Sequence, residues 1–221
     1  MKHAYYTADN LRDKAQKLYA AYTADRSNRL THFNPSKSAL LVLDMQIYFL
    51  DPDSHAYIPS AAAIITEIQA LIESYQQKNL PVIFTRHINT SDNAGMMAKW
   101  WQDLIQVDNP LSEIIPELDT ANATVIVKSQ YDAFYGTALQ ELLNQYQVEQ
   151  LVICGVMTHL CCESTARAAF VHGFEVFFTI DGTATYSEGH HRAAILNLSH
   201  GFATLVLAQD IGDKVSKAHA E

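Results

Sequence analysis

The sequence predicts an α/β protein: a three-layer, Rossmann-like fold with a six-stranded parallel sheet flanked by helices. Three observations carry this. Short runs rich in Val, Ile, Leu and Phe recur six times from residue 38 onward. Segments of helical period separate most of them. The apolar runs are continuous rather than alternating, as in strands buried on both faces.

The elements follow in order. Leu11, Ala15, Leu18 and Tyr22 recur at helical spacing, with Arg12, Asp13, Lys14 and Lys17 on other faces. Residues 1–37 thus read as an N-terminal helical extension, ending in a polar connector through Asn34, Pro35 and Ser36, and residues 38–221 as the main domain. "ALLVLD" at 39–44 is the first strand. A helix from about Pro59 to Lys78 carries the stripe Ile64, Ile65, Ile68, Leu71, Ile72 and Tyr75. "PVIFTR" at 81–86 is the second strand, followed by a helix around 95–106 that holds Trp100 and Trp101. "TVIVK" at 124–128 is the third strand. Thr137 and Gln140 fit a capping box for a helix to about Tyr146. "LVICG" at 151–155 precedes a helix from about Leu160 to His172, stopped by Gly173. "EVFFTI" at 175–180, a helix capped by Ser187, and "ATLVLA" at 203–208 complete the pattern.

Composition narrows the function. The chain of 221 residues is 48% hydrophobic and 18% charged, enough for one large domain and too apolar for a disordered chain. A formal net charge of -9 lacks the basic footprint of a nucleic-acid binder. No N-terminal stretch resembles a signal peptide, and no apolar run is long enough to span a bilayer. The three cysteines do not make a disulfide framework, so a reducing cytoplasm is the expected compartment.

In parallel sheets, sites form beyond the carboxyl ends of the strands. Asp44 closes the first strand, Lys128 closes the third, and Cys161 opens the helix after the fourth. Each has a plain reading: a loop cap, a solvated lysine, a small buried residue. Together they suit thiol chemistry. A helix N-terminus and a nearby cation favour a thiolate, and a carboxylate can move its proton. Cys154 sits inside an apolar strand and reads as core. Cys161 and Cys162 are adjacent, and helical residues one apart point about 100° apart, so only one can face a pocket.

"LLVLDMQIYFL", "KSQYDAFYGT" and "CGVMTHLCCESTARAA" resemble the isochorismatase-like cysteine hydrolases over roughly residues 38 to 210. The resemblance implies the isochorismatase-like hydrolase fold and a triad of Asp44, Lys128 and Cys161. Gly155, Thr158 and Thr165 fix the motif register, which makes Cys161 the nucleophile and Cys162 an inert neighbour. It also implies a cis peptide between Val156 and Met157, with the Met157 and Cys161 N–H groups as an oxyanion hole. It places an aromatic substrate wall at Phe49 and an aromatic lid at Trp100 or Trp101. Leu160 is expected to face the pocket. His87 is a candidate polar contact, as are Tyr131 and Tyr135.

The implied activity is cleavage of a small non-peptide C–N bond, amide or ureido, through a thioester, without a cofactor. The alternatives are vinyl ether hydrolysis of the isochorismatase type, or a non-catalytic or thiol-redox member. Family members commonly form homodimers or homotetramers. Departures matter: Ile47 and Tyr48 follow Gln46 where relatives often have Asn and Asp. A nicotinamidase-type metal site needs Asp-x-His after the second strand, and His87 and Asn89 stand there instead. No metal is therefore expected, which disfavours nicotinamide. Asp53 with His55, and the pair His190–His191, read as surface or loop residues. Arg86 or Arg167 is the candidate partner for a substrate carboxylate.

Overall fold

The computed structural model describes residues 2–23 and 32–218; part of the expected N-terminal connector lies outside them. The strands are β1 (Ser38–Leu43), β2 (Val82–His87), β3 (Thr124–Lys128), β4 (Gln150–Val156), β5 (Glu175–Ala184) and β6 (Thr204–Val206). All neighbours are parallel, in the order β3-β2-β1-β4-β5-β6. The central strands β1 and β4 are buried at every residue, which is why their runs show no alternation.

The helices are α1 (Leu11–Thr23), α2 (Ile47–Leu50), α3 (Ile65–Gln77), α4 (Met96–Trp100), α5 (Leu139–Gln145), α6 (Glu163–Val171), α7 (Glu188–Gly201) and α8 (Ala208–Lys217). Strand order reverses at β1, so right-handed crossovers put α3 on one face and α6 and α7 on the other. α8 packs along α3. No helix among the described residues is long and apolar enough to cross a membrane.

Several boundaries differ from the sequence reading. The segment before α3 is a 3₁₀ turn, Ala61–Ile64. The helix expected around 95–106 stops at Trp100, because Gln102 adopts φ +59, a left-handed backbone that ends a helix. The chain then turns back, and the Ile105 carbonyl accepts the Asn89 N–H at 2.7 Å. α5 starts at Leu139, two residues past Thr137, whose hydroxyl donates to the Ala133 carbonyl at 2.5 Å. β5 runs four residues past the expected end. Its polar tail stays in the sheet because the Thr179 and Thr183 hydroxyls donate to the Ile153 and Thr179 carbonyls, at 2.8 and 3.0 Å. α8 was not expected at all, although Ala208, Ile211 and Val215 make a buried stripe at helical spacing.

The N-terminal residues pack into the body. Tyr5 and Tyr6 are buried, and Leu11, Ala15 and Leu18 of α1 join the common core.

Candidate active site

The order of connection reverses between β1 and β4, and the crevice past their carboxyl ends is where the three candidate side chains meet. Gly155 lets these strands approach. It pairs with Leu43 at φ +108, and a Cβ there would fall 2.1 Å from the Leu43 carbonyl oxygen. Glycine alone tolerates both constraints.

Asp44 follows β1 with φ +52, a left-handed conformation that Asp adopts more readily than most residues. Thr85 of β2 holds it twice. Its Oγ1 accepts the Asp44 N–H at 3.1 Å and donates to Asp44 Oδ1 at 2.6 Å. Gln46 ties the same corner to β2: its amide donates to the His87 carbonyl, and its Oε1 accepts the His87 N–H.

Lys128 starts from the edge strand β3, in register with His87. Its stem crosses the end of β2 and brings Nζ 2.8 Å from Asp44 Oδ2 and 3.3 Å from Cys161 Sγ. Nζ also donates to the Gln130 carbonyl at 2.9 Å and lies 3.2 Å from His87 Nδ1. Since the ammonium has no lone pair, His87 Nδ1 is the acceptor, and His87 Nε2–H donates to Asn89 Oδ1 at 2.8 Å. Burial and the Lys128 charge lower the His87 pKa to about 4, so the ring is neutral.

Asp44 and Lys128 are fully buried and stabilise each other's charge. Burial opposes ionisation of both, yet the ion pair holds the carboxyl below its usual range and the ammonium above its own. Cys161 differs from the sequence expectation of a resting thiolate. Burial and the Asp44 charge push its thiol up to about 12, against the pull of Lys128. The resting site is therefore a neutral thiol beside a carboxylate and an ammonium.

The Val156–Met157 peptide is cis. After it, Thr158–Cys162 forms a wide π-helical turn leading into α6, a form concentrated at functional sites. Cys161 lines the cavity, whereas Cys162 is buried in the core. Thr165 Oγ1 accepts the Ala133 N–H at 3.0 Å and so joins α6 to the loop after Lys128. Cys154 is core, and burial keeps its thiol protonated.

Above Cys161 lies a cavity of about 60 Å³, bounded by Phe49, His87, Trp101, Met157 and Leu160 from the predicted set. Tyr48, Tyr131 and Tyr186 add aromatic walls. Trp101 Nε1 donates to the Tyr131 hydroxyl at 2.7 Å, and the Tyr48 hydroxyl donates to Asp103 Oδ2 at 2.5 Å. Trp100 and Tyr135 are not brought to the cavity; they are 73% and 65% exposed. A one-residue step around α4 turns Trp100 outward while Trp101 faces in. Tyr135 is next to Gly136, which adopts φ +64, and points to solvent.

His55 is an exposed turn residue, as read, and it lines the mouth of the cavity. Two other readings need correction. His191 is fully buried. Arg86 is bound to Ser112 and Glu113, and Arg167 to Glu163 and the face of Phe202, so neither lines the cavity.

The isochorismatase domain family matches residues 38–210. The chain belongs to the isochorismatase-like hydrolase family. It is 40% identical to Nicotinamidase 3 of Arabidopsis thaliana over 178 residues, covering 78% of this chain and 86% of that one. A cysteine hydrolase structure from Pseudomonas syringae superposes with TM-score 0.82 at 24% identity, covering 86% and 97% of the two chains, a likeness of fold. The pyrazinamidase of Pyrococcus horikoshii, solved in complex with zinc, superposes with TM-score 0.70 at 25% identity, covering 77% and 99%.

Zinc in a family member raises the question of a metal here. Asp44, His87 and Cys161 bring ligand atoms within 4.8 Å of one another. They do not fit a cation. The Lys128 ammonium contacts all three, at 2.8, 3.2 and 3.3 Å, and so fills the position an ion would take. The remaining His87 nitrogen is bound to Asn89.

Proposed function

We propose that the protein is a cysteine amidohydrolase acting on the non-peptide C–N bond of a small, uncharged aromatic carboxamide. One observation carries the reading: Cys161, Asp44 and Lys128 touch at the floor of an aromatic cavity that no lysine or arginine lines among the described residues. A carboxylate-bearing substrate, such as an N-carbamoyl or ureido acid or a chorismate-type diacid, would find no cation in the cavity wall, and the Lys2 ammonium at the mouth is already bound to the His55 carbonyl. The 40% identity to a nicotinamidase supports the same chemistry. The missing metal ligands do not weigh against nicotinamide, because the ammonium already neutralises the site.

In the reaction, Cys161 sulfur attacks the carboxamide carbon as its proton moves to Asp44. The oxyanion is received by the Met157 and Cys161 N–H groups; one such donor is typically worth about 2.7–4 kcal/mol of barrier. Asp44 returns the proton to the amide nitrogen, the C–N bond breaks, and ammonia leaves. Water then attacks the thioester carbon, giving its proton to Asp44. The C–S bond breaks, the carboxylic acid departs, and the sulfur regains the proton. Lys128 stays charged throughout and offsets each negative charge in turn. A thiol that ionises only as it attacks avoids burying a second anion beside Asp44.

A panel of nicotinamide, pyrazinamide, benzamide, N-carbamoyl amino acids, ureido acids and isochorismate tests this. Ammonia release from the aromatic amides, absent in Cys161→Ala, is expected. Turnover of the acids without turnover of the amides would overturn it. The same reading takes the protein as cytoplasmic and as homodimeric or homotetrameric; light scattering on the purified chain checks the oligomeric state.

A further inference from the structure

Residues 2–6 lie outside the stretch that matches the family, yet they reach both walls of the cavity and the turn that carries Cys161. Ser60, fully buried, accepts the N–H groups of Tyr5 and Tyr6 at 2.9 and 3.1 Å, which anchors the segment to the loop that supplies His55. On the opposite wall, the Tyr5 hydroxyl accepts the Thr185 N–H at 3.1 Å, and the His3 N–H donates to the Tyr186 carbonyl at 2.9 Å. Lys2 spans the mouth itself. Its ammonium donates to the His55 carbonyl at 2.5 Å and lies 4.5 Å from the centre of the Tyr186 ring.

A second connection runs inward. The Tyr6 hydroxyl lies 3.3 Å from His191 Nε2, and His191 Nδ1 lies 3.1 Å from the Thr158 hydroxyl, the first residue of the π-helical turn. His191 is completely buried, and burial keeps its ring neutral at physiological pH. A neutral imidazole donates through one nitrogen and accepts through the other. The Ile180 carbonyl is shared between the Tyr6 hydroxyl, at 3.4 Å, and the His191 ring, so removing the Tyr6 hydroxyl loosens this cluster and removing the Thr158 hydroxyl takes away the partner of Nδ1.

We propose that this N-terminal arm is a positioning element of the active site. Tyr6, through His191, fixes the turn that presents Cys161, and Lys2 fixes the mouth between His55 and Tyr186. The proposal uses the amidohydrolase reading only for its kinetic arm.

The test combines kinetics with hydrogen exchange on the full chain. Tyr6→Phe and Thr158→Val should each lower kcat roughly tenfold with KM within about twofold, as a misplaced nucleophile does. Thr158→Ser, which keeps the hydroxyl, should restore the rate. The double variant Tyr6→Phe/Thr158→Val should lose little more than either single one, because both cut the same relay. Lys2→Met should raise KM severalfold at unchanged kcat.

Backbone exchange at residues 157–162 should quicken in Tyr6→Phe while β1 stays protected. Wild-type exchange at that turn, or losses that multiply in the double variant, would overturn the proposal. If the wild type released ammonia from no amide, the functional reading would fail, and the exchange data would still decide the role of the arm.

Discussion

Thr85 grips Asp44 at both ends, accepting its backbone N–H at 3.1 Å and donating to its carboxylate at 2.6 Å. The backbone it steadies is left-handed, with φ +52. Thr85→Val keeps the shape and removes both bonds. A hydrogen bond to a charged group contributes about 1.5–3 kcal/mol, so stability should fall by that order. kcat should drop roughly ten- to a hundredfold as the carboxylate loses its aim. Urea unfolding and steady-state kinetics check both, and unchanged values would show that Lys128 alone holds Asp44.

Acid should weaken the fold well above the ordinary carboxylate range. Burial, the largest effect on each, lowers the pKa of His87 and His159 to about 4 and that of His191 to about 3. Their unfolded counterparts take up protons below about pH 6.5. The unfolded state then binds more protons, so stability is complete above that pH and is lost as pH falls toward the folded values. Asp181 works in the opposite sense over the same window. The three histidines outnumber Asp181, so the balance is a loss of stability as pH falls from 6.5 to 5. Urea midpoints that stay flat from pH 6.5 to 5 would contradict this. Across about pH 6 to 9, kcat/KM should hold level, since neither Asp44 nor Cys161 titrates there.

Asp181 offers a stabilising change. Burial raises its carboxyl to about 7, although it accepts the Ala208 N–H at 2.8 Å at the start of α8. A raised carboxyl favours the folded state while protonated, and that advantage is lost as pH rises through 7. Asp181→Asn keeps the acceptor and cannot ionise. It should be more stable than wild type by on the order of 2 kcal/mol at pH 8 and equal to it near pH 4, read from thermal melts.

Chelation should leave the enzyme untouched. Lys128 occupies the centre of the one cluster of potential ligands found among the described residues. Prolonged EDTA treatment is expected to preserve full activity, and added zinc to give no activation. Loss on chelation with recovery on zinc would mean that the ammonium is displaced.

The strands and the three candidate reacting groups were legible because each rests on a local signal. "ALLVLD" shows a buried strand and its terminal carboxylate together, and Gly155, Thr158 and Thr165 set the register that singles out Cys161. What escaped depends on contacts between distant segments. A threonine inside "PVIFTR" looks like any strand threonine until Asp44 is folded beside it. Tyr186 became visible as a wall only once β5 was known to reach Ala184. The inward and outward faces of Trp101 and Trp100 hinge on where a five-residue helix ends, below the resolution of periodicity. α8 is another matter: its apolar spacing is present in Ala208, Ile211 and Val215.

The missing side chain at Gly155 has a practical consequence. It makes the distance between the strands that lead to Asp44 and to Cys161 a matter of main-chain atoms alone, which are the same in every sequence. The aromatic rim, by contrast, hangs from loops and one short helix. Efforts to redirect this scaffold to other substrates can thus vary the rim, exchanging Trp101 together with its partner Tyr131, and should leave the glycine and its strand partner alone.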